Sequence, residues 1–250
     1  MLQAAFRLSV YLVFTLLCIP VQMLLLRLAP HKAETFPVWY HRCCLKIFTL
    51  KVEVVGTPAL ARPCLYVSNH CSYLDIPVYG AVLPVCFVAK AEVAGWPLFG
   101  TLARLQRTLF MDRRTSRVRD GQSELLRRLK AGDALMLFPE GTSSDGTRVL
   151  PFKPALFQPI LDEAEGLSLT VQPVSIVCTM MDGLSADRAA RQRYAWFGDT
   201  ELLPHLWDFC HVQGCTVRVT FHPPLDVSAH YDRKLLAHAT EKLIAAGMAG

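Results

Sequence analysis

The chain has 250 residues, 52% of them apolar and 19% charged, and carries a net charge of +5. That length accommodates one large domain or one domain with an appendage. The composition excludes a disordered chain, and 14 glycines with 16 prolines exclude collagen-like and low-complexity sequence.

The N-terminus comes first. Leu8 to Leu26 is 19 residues without a charge, broken by Ser9, Thr15, Pro20 and Gln22. As a helix it would extend about 28 Å, close to the thickness of a hydrocarbon core. Basic residues flank it (Arg7, then Arg27, His31 and Lys32), and no A-x-A-like cleavage site follows, which speaks against a secretory signal. Pro20 is expected to kink the helix, so the run either spans weakly or lies partly in the interface. Val38–Phe48 mixes Trp39, Tyr40 and Phe48 with His41, Arg42 and Lys46, a pattern suited to the headgroup level. A mean hydropathy of +0.28 is high for a soluble enzyme and agrees with contact with lipid. Residues 1–48 are read as membrane-associating helices and 49–250 as an α/β domain.

From residue 50 the pattern changes to short β-type runs: Lys51–Val55, Cys64–Val67, Val85–Ala89, Thr108–Met111, Ala134–Phe138, Val171–Val177 and Cys215–Phe221. Helices are expected over Ile76–Ala81, Ser116–Lys130, Pro154–Asp162 and Asp232–Ala246. Alternation of the two predicts an α/β fold, a largely parallel seven-stranded sheet flanked by helices, with an N-terminal apolar membrane-associating helical segment. Residues 182–214 are the least legible.

Charge and cysteine use narrow the partners. Residues 101–130 hold nine basic and three acidic side chains, +6, so the remainder sums to −1. Such a segment suits anionic lipid, a phosphate-bearing co-substrate or an acidic carrier protein; no nucleic-acid motif accompanies it. Nine cysteines, an odd number without C-x-x-C, read as reduced, mostly buried thiols. His205, Cys210, His211 and Cys215 follow no zinc spacing, so no metal site is expected.

In open α/β sheets, chemistry gathers beyond the carboxyl ends of strands. Four strands here end in distinctive residues: Ser68-Asn69-His70, Asp112-Arg113, Pro139-Glu140-Gly141-Thr142, and Gln172-Pro173-Val174. His70 and Asp75 lie five apart in NHCSYLD. They would meet only if His70 sits in a loop and Asp75 in or near the first helical turn. Asp75 would then fix the imidazole tautomer and leave the second nitrogen free to take a proton. Without a neighbouring nucleophile, the natural task is to deprotonate a substrate hydroxyl. Arg113 could bind a phosphate in two-point fashion.

In this order and spacing the elements resemble the glycerolipid acyltransferase family, whose best-known members are the 1-acyl-sn-glycerol-3-phosphate acyltransferases. NHCSYLD matches its N-H-x4-D block, LFMDR the second, FPEGT the third and VQPV the fourth. KAEVAGWPLFG and LPFKPALF resemble segments between them. The resemblance implies His70 as the base, Asp75 as its orienter and Arg113 as ligand of the acceptor's anionic head. It implies further substrate contacts from Asn69, Glu140, Gly141, Thr142 and Pro173, with Val171–Val174 lining a channel. The donor would be acyl-CoA or acyl carrier protein, as co-substrate rather than cofactor, at the cytoplasmic face of a membrane (the inner membrane if bacterial). The first-ranked acceptor is 1-acyl-sn-glycerol-3-phosphate, giving phosphatidic acid in phospholipid biosynthesis. Three departures bear on it: Arg107 where Gly is frequent, Ser143 where the glutamate block commonly has Arg, and Ala155 where Gly is frequent. Arg148 could compensate for the lost arginine. A related subgroup acylates lyso-ornithine lipid, whose head lacks phosphate, and this is the second-ranked acceptor. Two other readings are a non-catalytic membrane-binding module and a thioesterase using Cys71 or His70 on water.

Overall fold

A computed structural model of the chain describes residues 1–112, 118–162, 169–225, 227 and 232–249. Two N-terminal helices, α1 (Leu2–Leu28) and α2 (Pro30–Ile47), lead into the sheet. Its strands are β1 (Leu50–Val55), β2 (Cys64–Ser68), β3 (Cys86–Lys90), β4 (Leu109–Met111), β5 (Ala134–Leu137), β6 (Thr170–Met181), β7 (Leu184–Ser185) and β8 (Cys215–Phe221). The order across the sheet is β1-β8-β6-β2-β5-β3-β4, with β7 a two-residue hairpin partner of β6. Pairings from β6 through β4 are parallel, whereas β8 is antiparallel to β6 and parallel to β1. All seven expected strands occur; β6 is longer than expected, and β7 is the addition.

The side-chain period of two sorts the strands into two apolar layers. Cys64 and Tyr66 of β2 and Met136 of β5 face one layer, with Val78 and Tyr79 of α3 (Asp75–Val82) and Leu206 and Phe209 of α8 (Leu202–Phe209). Leu65 and Val67 of β2 and Leu135 and Leu137 of β5 face the other. There they meet Leu125 and Leu129 of α5 (Val118–Lys130) and Leu236 and Ile244 of α9 (Arg233–Met248). Covering both faces explains why β2 and β5 are continuous apolar runs, as a parallel sheet requires. The remaining helices are short: α4 (Phe99–Leu105), α6 (Gln158–Asp162) and α7 (Arg188–Tyr194).

Helix α1 is polar inward and apolar outward. Ala4, Arg7, Thr15, Cys18 and Gln22 recur at helical spacing and are its buried residues, while Phe6, Val13, Leu17 and Leu24 are exposed. Arg7 donates to the carbonyls of Cys210 (3.0 Å) and Val212 (2.6 Å). Thr15 shares a hydrogen bond with Tyr40, and Gln22 donates to the carbonyls of Ala33 and Leu105. Both ends of α1 are therefore bonded to the α/β unit. The helix runs on through Pro20, which is exposed. Thr15 and Gln22, which interrupt the apolar run in sequence, are the residues that dock it. Among the described residues this is the one helix long and apolar enough to cross a membrane.

Helices α2 and α3 pack closely through Gly80. A Cβ there would come within 2.2 Å of the His41 ring, which is buried and bonded to Gln106 at 3.1 Å. His41 cannot swing aside without breaking that bond. Gly80→Ala is expected to lower stability by about 1–3 kcal/mol through overpacking, read as a fall in the unfolding midpoint of the detergent-solubilised protein.

Candidate active site

The register of the sheet brings together residues that are distant in sequence. Val67 of β2 pairs with Leu137 of the neighbouring strand β5. Continuing both chains by three residues sets His70 opposite Glu140, and the His70 N–H donates to Glu140 Oε1 at 3.0 Å. Glu140 Oε2 accepts from the Leu150 N–H at 3.3 Å. Burial raises the Glu140 carboxyl to about 8, against the pull of these two N–H groups toward the charged form. Gly141 follows with φ +65°, a backbone state glycine adopts without strain, and its N–H closes the turn onto the Phe138 carbonyl.

His70 lies in the β2–α3 loop, and Asp75 is the first residue of α3. His70 Nδ1–H donates to Asp75 Oδ2 at 2.8 Å; the imidazole is one-fifth exposed and the carboxylate is fully buried. Asp75 Oδ2 also accepts from the N–H groups of Cys71 (2.8 Å) and Ser72 (3.0 Å), and Oδ1 accepts from the Tyr194 hydroxyl (2.9 Å). An acceptor so fully engaged defines which face of the imidazole it takes. The ring stacks on Phe138 with centroids 4.4 Å apart, and the His70 carbonyl accepts from the Ser144 N–H at 2.8 Å. Among the described residues nothing is bonded to His70 Nε2, the nitrogen that a general base needs free.

His70 lines a cavity of about 600 Å³ that runs to the groove between α1 and α2. Phe138, Gly141, Thr142 and Ser143 surround it at one end, and Tyr11, Ile19 and Tyr40 at the other. Lys90, at the carboxyl end of β3, and Glu92 lie on its wall. The walls are mainly apolar and aromatic, as an acyl chain requires.

The other expected contacts divide. Gly141 and Thr142 line the cavity. Asn69 does not: it is fully buried, donating to the Ile176 carbonyl and accepting from the Ile176 N–H, both at 2.9 Å, so it ties β2 to β6. Glu140 is also buried, with both oxygens bonded to backbone, and braces the His70 loop rather than meeting substrate. Pro173 pairs with Val67 inside the sheet, and Val171–Val174 do not border the cavity. The neighbouring Gln172 instead pins Thr57, Ala59 and His222 through its amide. Arg113 lies outside the described residues. Arg107 has φ +59°, the conformation that makes glycine frequent there, and its guanidinium pairs with Glu34 of α2 (2.9 Å) and Asp133 (2.8 Å). Arg148 does not line the His70 cavity and so does not stand in for the arginine that Ser143 replaces. The Cys71 thiol is buried, and burial and the Asp75 carboxylate push it well above its ordinary range, which removes it as a thiolate nucleophile. Tyr194, on α7, belongs to the stretch that was illegible in sequence.

A family model described as Acyltransferase matches residues 51–177, from β1 into β6. The lyso-ornithine lipid O-acyltransferase of Brucella abortus is 43% identical, over 91% of this chain and 87% of its own length. The chain belongs to the acyltransferase family. A 1-acyl-sn-glycerol-3-phosphate acyltransferase of Neisseria meningitidis is 32% identical over 78% of this chain and 74% of its own. The crystal structure of the 1-acyl-sn-glycerophosphate acyltransferase of Thermotoga maritima has the same fold. Its TM-score is 0.71 at 23% identity, covering 98% of this chain and 92% of that one. The exposed apolar face of α1 and the bacterial lipid acyltransferase relatives agree with membrane association.

Proposed function

We propose that the enzyme transfers a fatty acyl group from a thioester donor, acyl-CoA or acyl carrier protein, to the free hydroxyl of lyso-ornithine lipid. His70 Nε2 takes the hydroxyl proton as the oxygen attacks the thioester carbonyl. Asp75 holds the imidazole and stabilises the imidazolium that forms. Collapse of the tetrahedral intermediate breaks the C–S bond, and the proton passes from His70 to the departing thiolate. No acyl-enzyme is needed.

One observation carries the choice of acceptor: Lys90 and Glu92, one cation and one carboxylate, stand together on the described cavity wall, and Ser143 stands where the family's glutamate block commonly has arginine. A phosphate monoester with two charges calls for guanidinium forks. An amino-acid head with one ammonium and one carboxylate is matched by Glu92 and Lys90. The high identity to the Brucella enzyme supports the same acceptor, and so reverses the ranking drawn from sequence, in which lysophosphatidate came first.

With Arg7 and Gln22 holding both ends of α1 to the α/β unit, we read α1 as lying along one leaflet, its apolar side in the acyl region. Free thiols at all nine cysteines agree with the cytoplasmic face. The decisive test offers the full-length protein in detergent one labelled acyl donor and each lysolipid in turn. Transfer to lyso-ornithine lipid is expected to exceed transfer to 1-acyl-sn-glycerol-3-phosphate by about tenfold or more. The reverse preference would restore the phosphate acceptor. Absence of transfer to every lysolipid would leave a membrane-binding module.

A further inference from the structure

A second cavity, about 520 Å³, has a different chemistry. Arg148, Arg188 and Arg191 line it, with Asp145, Asp187 and Thr147; Ala186 is its one apolar residue. The two acids are already engaged. Asp145 accepts from the Thr147 N–H (3.1 Å) and hydroxyl (2.7 Å) and from Gln192 (3.4 Å), and Asp187 accepts from the Ala190 N–H (2.8 Å). Among the described residues none of the three arginine side chains makes a hydrogen bond or ion pair, and Arg191 Nε is buried without a partner. The cavity is preformed: Gly146, at φ +74°, packs so closely on α7 that a Cβ would stand 3.0 Å from the Arg191 carbonyl.

Both walls are joined to the dyad. The loop that contributes Asp145 and Arg148 lines the His70 cavity with Gly141–Ser143, and its Ser144 N–H is bonded to the His70 carbonyl. The helix that contributes Arg188 and Arg191 ends in Tyr194, which donates to Asp75. Three guanidiniums and a single apolar residue, Ala186, line this cavity, so the fitting ligand is a water-soluble anion. In the reaction proposed above, the water-soluble anion is the donor, whose pantetheine arm carries a phosphate ester remote from the thioester.

We propose that Arg148, Arg188 and Arg191 form the binding site for the phosphate of the phosphopantetheine arm of the acyl donor, which crosses the Gly141–Arg148 loop to present its thioester to His70. The proposal rests on the acyl-transfer reading, but the site can be tested by binding alone. The probes are coenzyme A and holo-acyl carrier protein, titrated separately into full-length enzyme in detergent, against the double variant Arg148→Gln/Arg188→Gln. Both side chains are exposed, and an unchanged melting temperature verifies the fold.

Binding of at least one probe is expected to weaken about tenfold or more, the share carried by one charge-assisted hydrogen bond. The donor KM should rise in proportion, with kcat and lysolipid KM held within about twofold. Arg148→Lys/Arg188→Lys should retain part of the affinity, since it keeps the charge without the fork. Response to coenzyme A alone or to the carrier protein alone identifies which donor is used. Unchanged binding and donor KM, no binding of either probe by the unsubstituted enzyme, or a rise confined to the lysolipid KM would each overturn the proposal. Arginine-dependent binding of coenzyme A by a protein that acylates no lysolipid would keep the anion site and discard the acyl-transfer reading.

Discussion

His70→Ala is expected to reduce acyl transfer by about 10²–10⁴-fold, the contribution of a positioned general base. The imidazole is the one group on the described cavity wall with a nitrogen both unbonded and backed by a buried carboxylate. Its removal leaves the Asp75 carboxylate bonded to the N–H groups of Cys71 and Ser72 and to Tyr194, so the loop keeps its frame. The ring is partly exposed and contributes stacking on Phe138, so the stability loss should stay near about 1 kcal/mol. Partition into vesicles should not change, because α1 docks through Arg7, Thr15 and Gln22. Labelled product from thin-layer separation measures the rate, and flotation measures binding. Full activity in this variant would remove His70 from the mechanism.

Asp75 should answer differently to two substitutions. Asp75→Ala is expected to abolish transfer and to lower stability by about 3–5 kcal/mol, since two backbone N–H groups and the Tyr194 hydroxyl lose their acceptor in a buried site. Asp75→Asn preserves most of the bonding. The Cys71 and Ser72 N–H groups select the amide oxygen for the Oδ2 position, and the Tyr194 hydroxyl can turn to accept from the amide NH₂. The imidazole then retains its tautomer and loses only the negative charge that stabilises its protonated form. The stability loss should fall to about 1–2 kcal/mol while activity drops by about 10²-fold or more. Denaturant midpoints and initial rates on the two variants separate positioning from charge. Equal stability losses would mean that the backbone donors do not define the carboxylate's orientation.

Much of this arrangement was readable from the residues in order. Strand-ending motifs have fixed local chemistry, and five parallel neighbours bring their carboxyl ends to one edge, so the sequence places His70 and Glu140 at the same end of the sheet, while the bond between them emerges only from the structure. What was not readable depended on tertiary pairing. Asn69 and Glu140 look like ligands because they are polar and stand beside a histidine; only the register with Ile176 and Leu150 reveals that their polar atoms are consumed internally. Tyr194 carries no local signal, since its role arises from α7 bringing its hydroxyl to the Asp75 carboxylate, 119 residues earlier in the chain. Arg107 was conspicuous as a departure, but its partners Glu34 and Asp133 lie on separate elements. Thr15 and Gln22 read as flaws in an apolar run because the run alone does not tell which side of a helix meets protein.

Tyr11, Cys18, Ile19 and Gln22 of α1 belong to the wall of the His70 cavity. The long apolar helix of the chain is thus also a part of the reaction vessel. Trimming it to obtain a soluble form, or exchanging it for a foreign anchor of equal greasiness, would leave the proton-transfer pair intact with no container for the chains it joins.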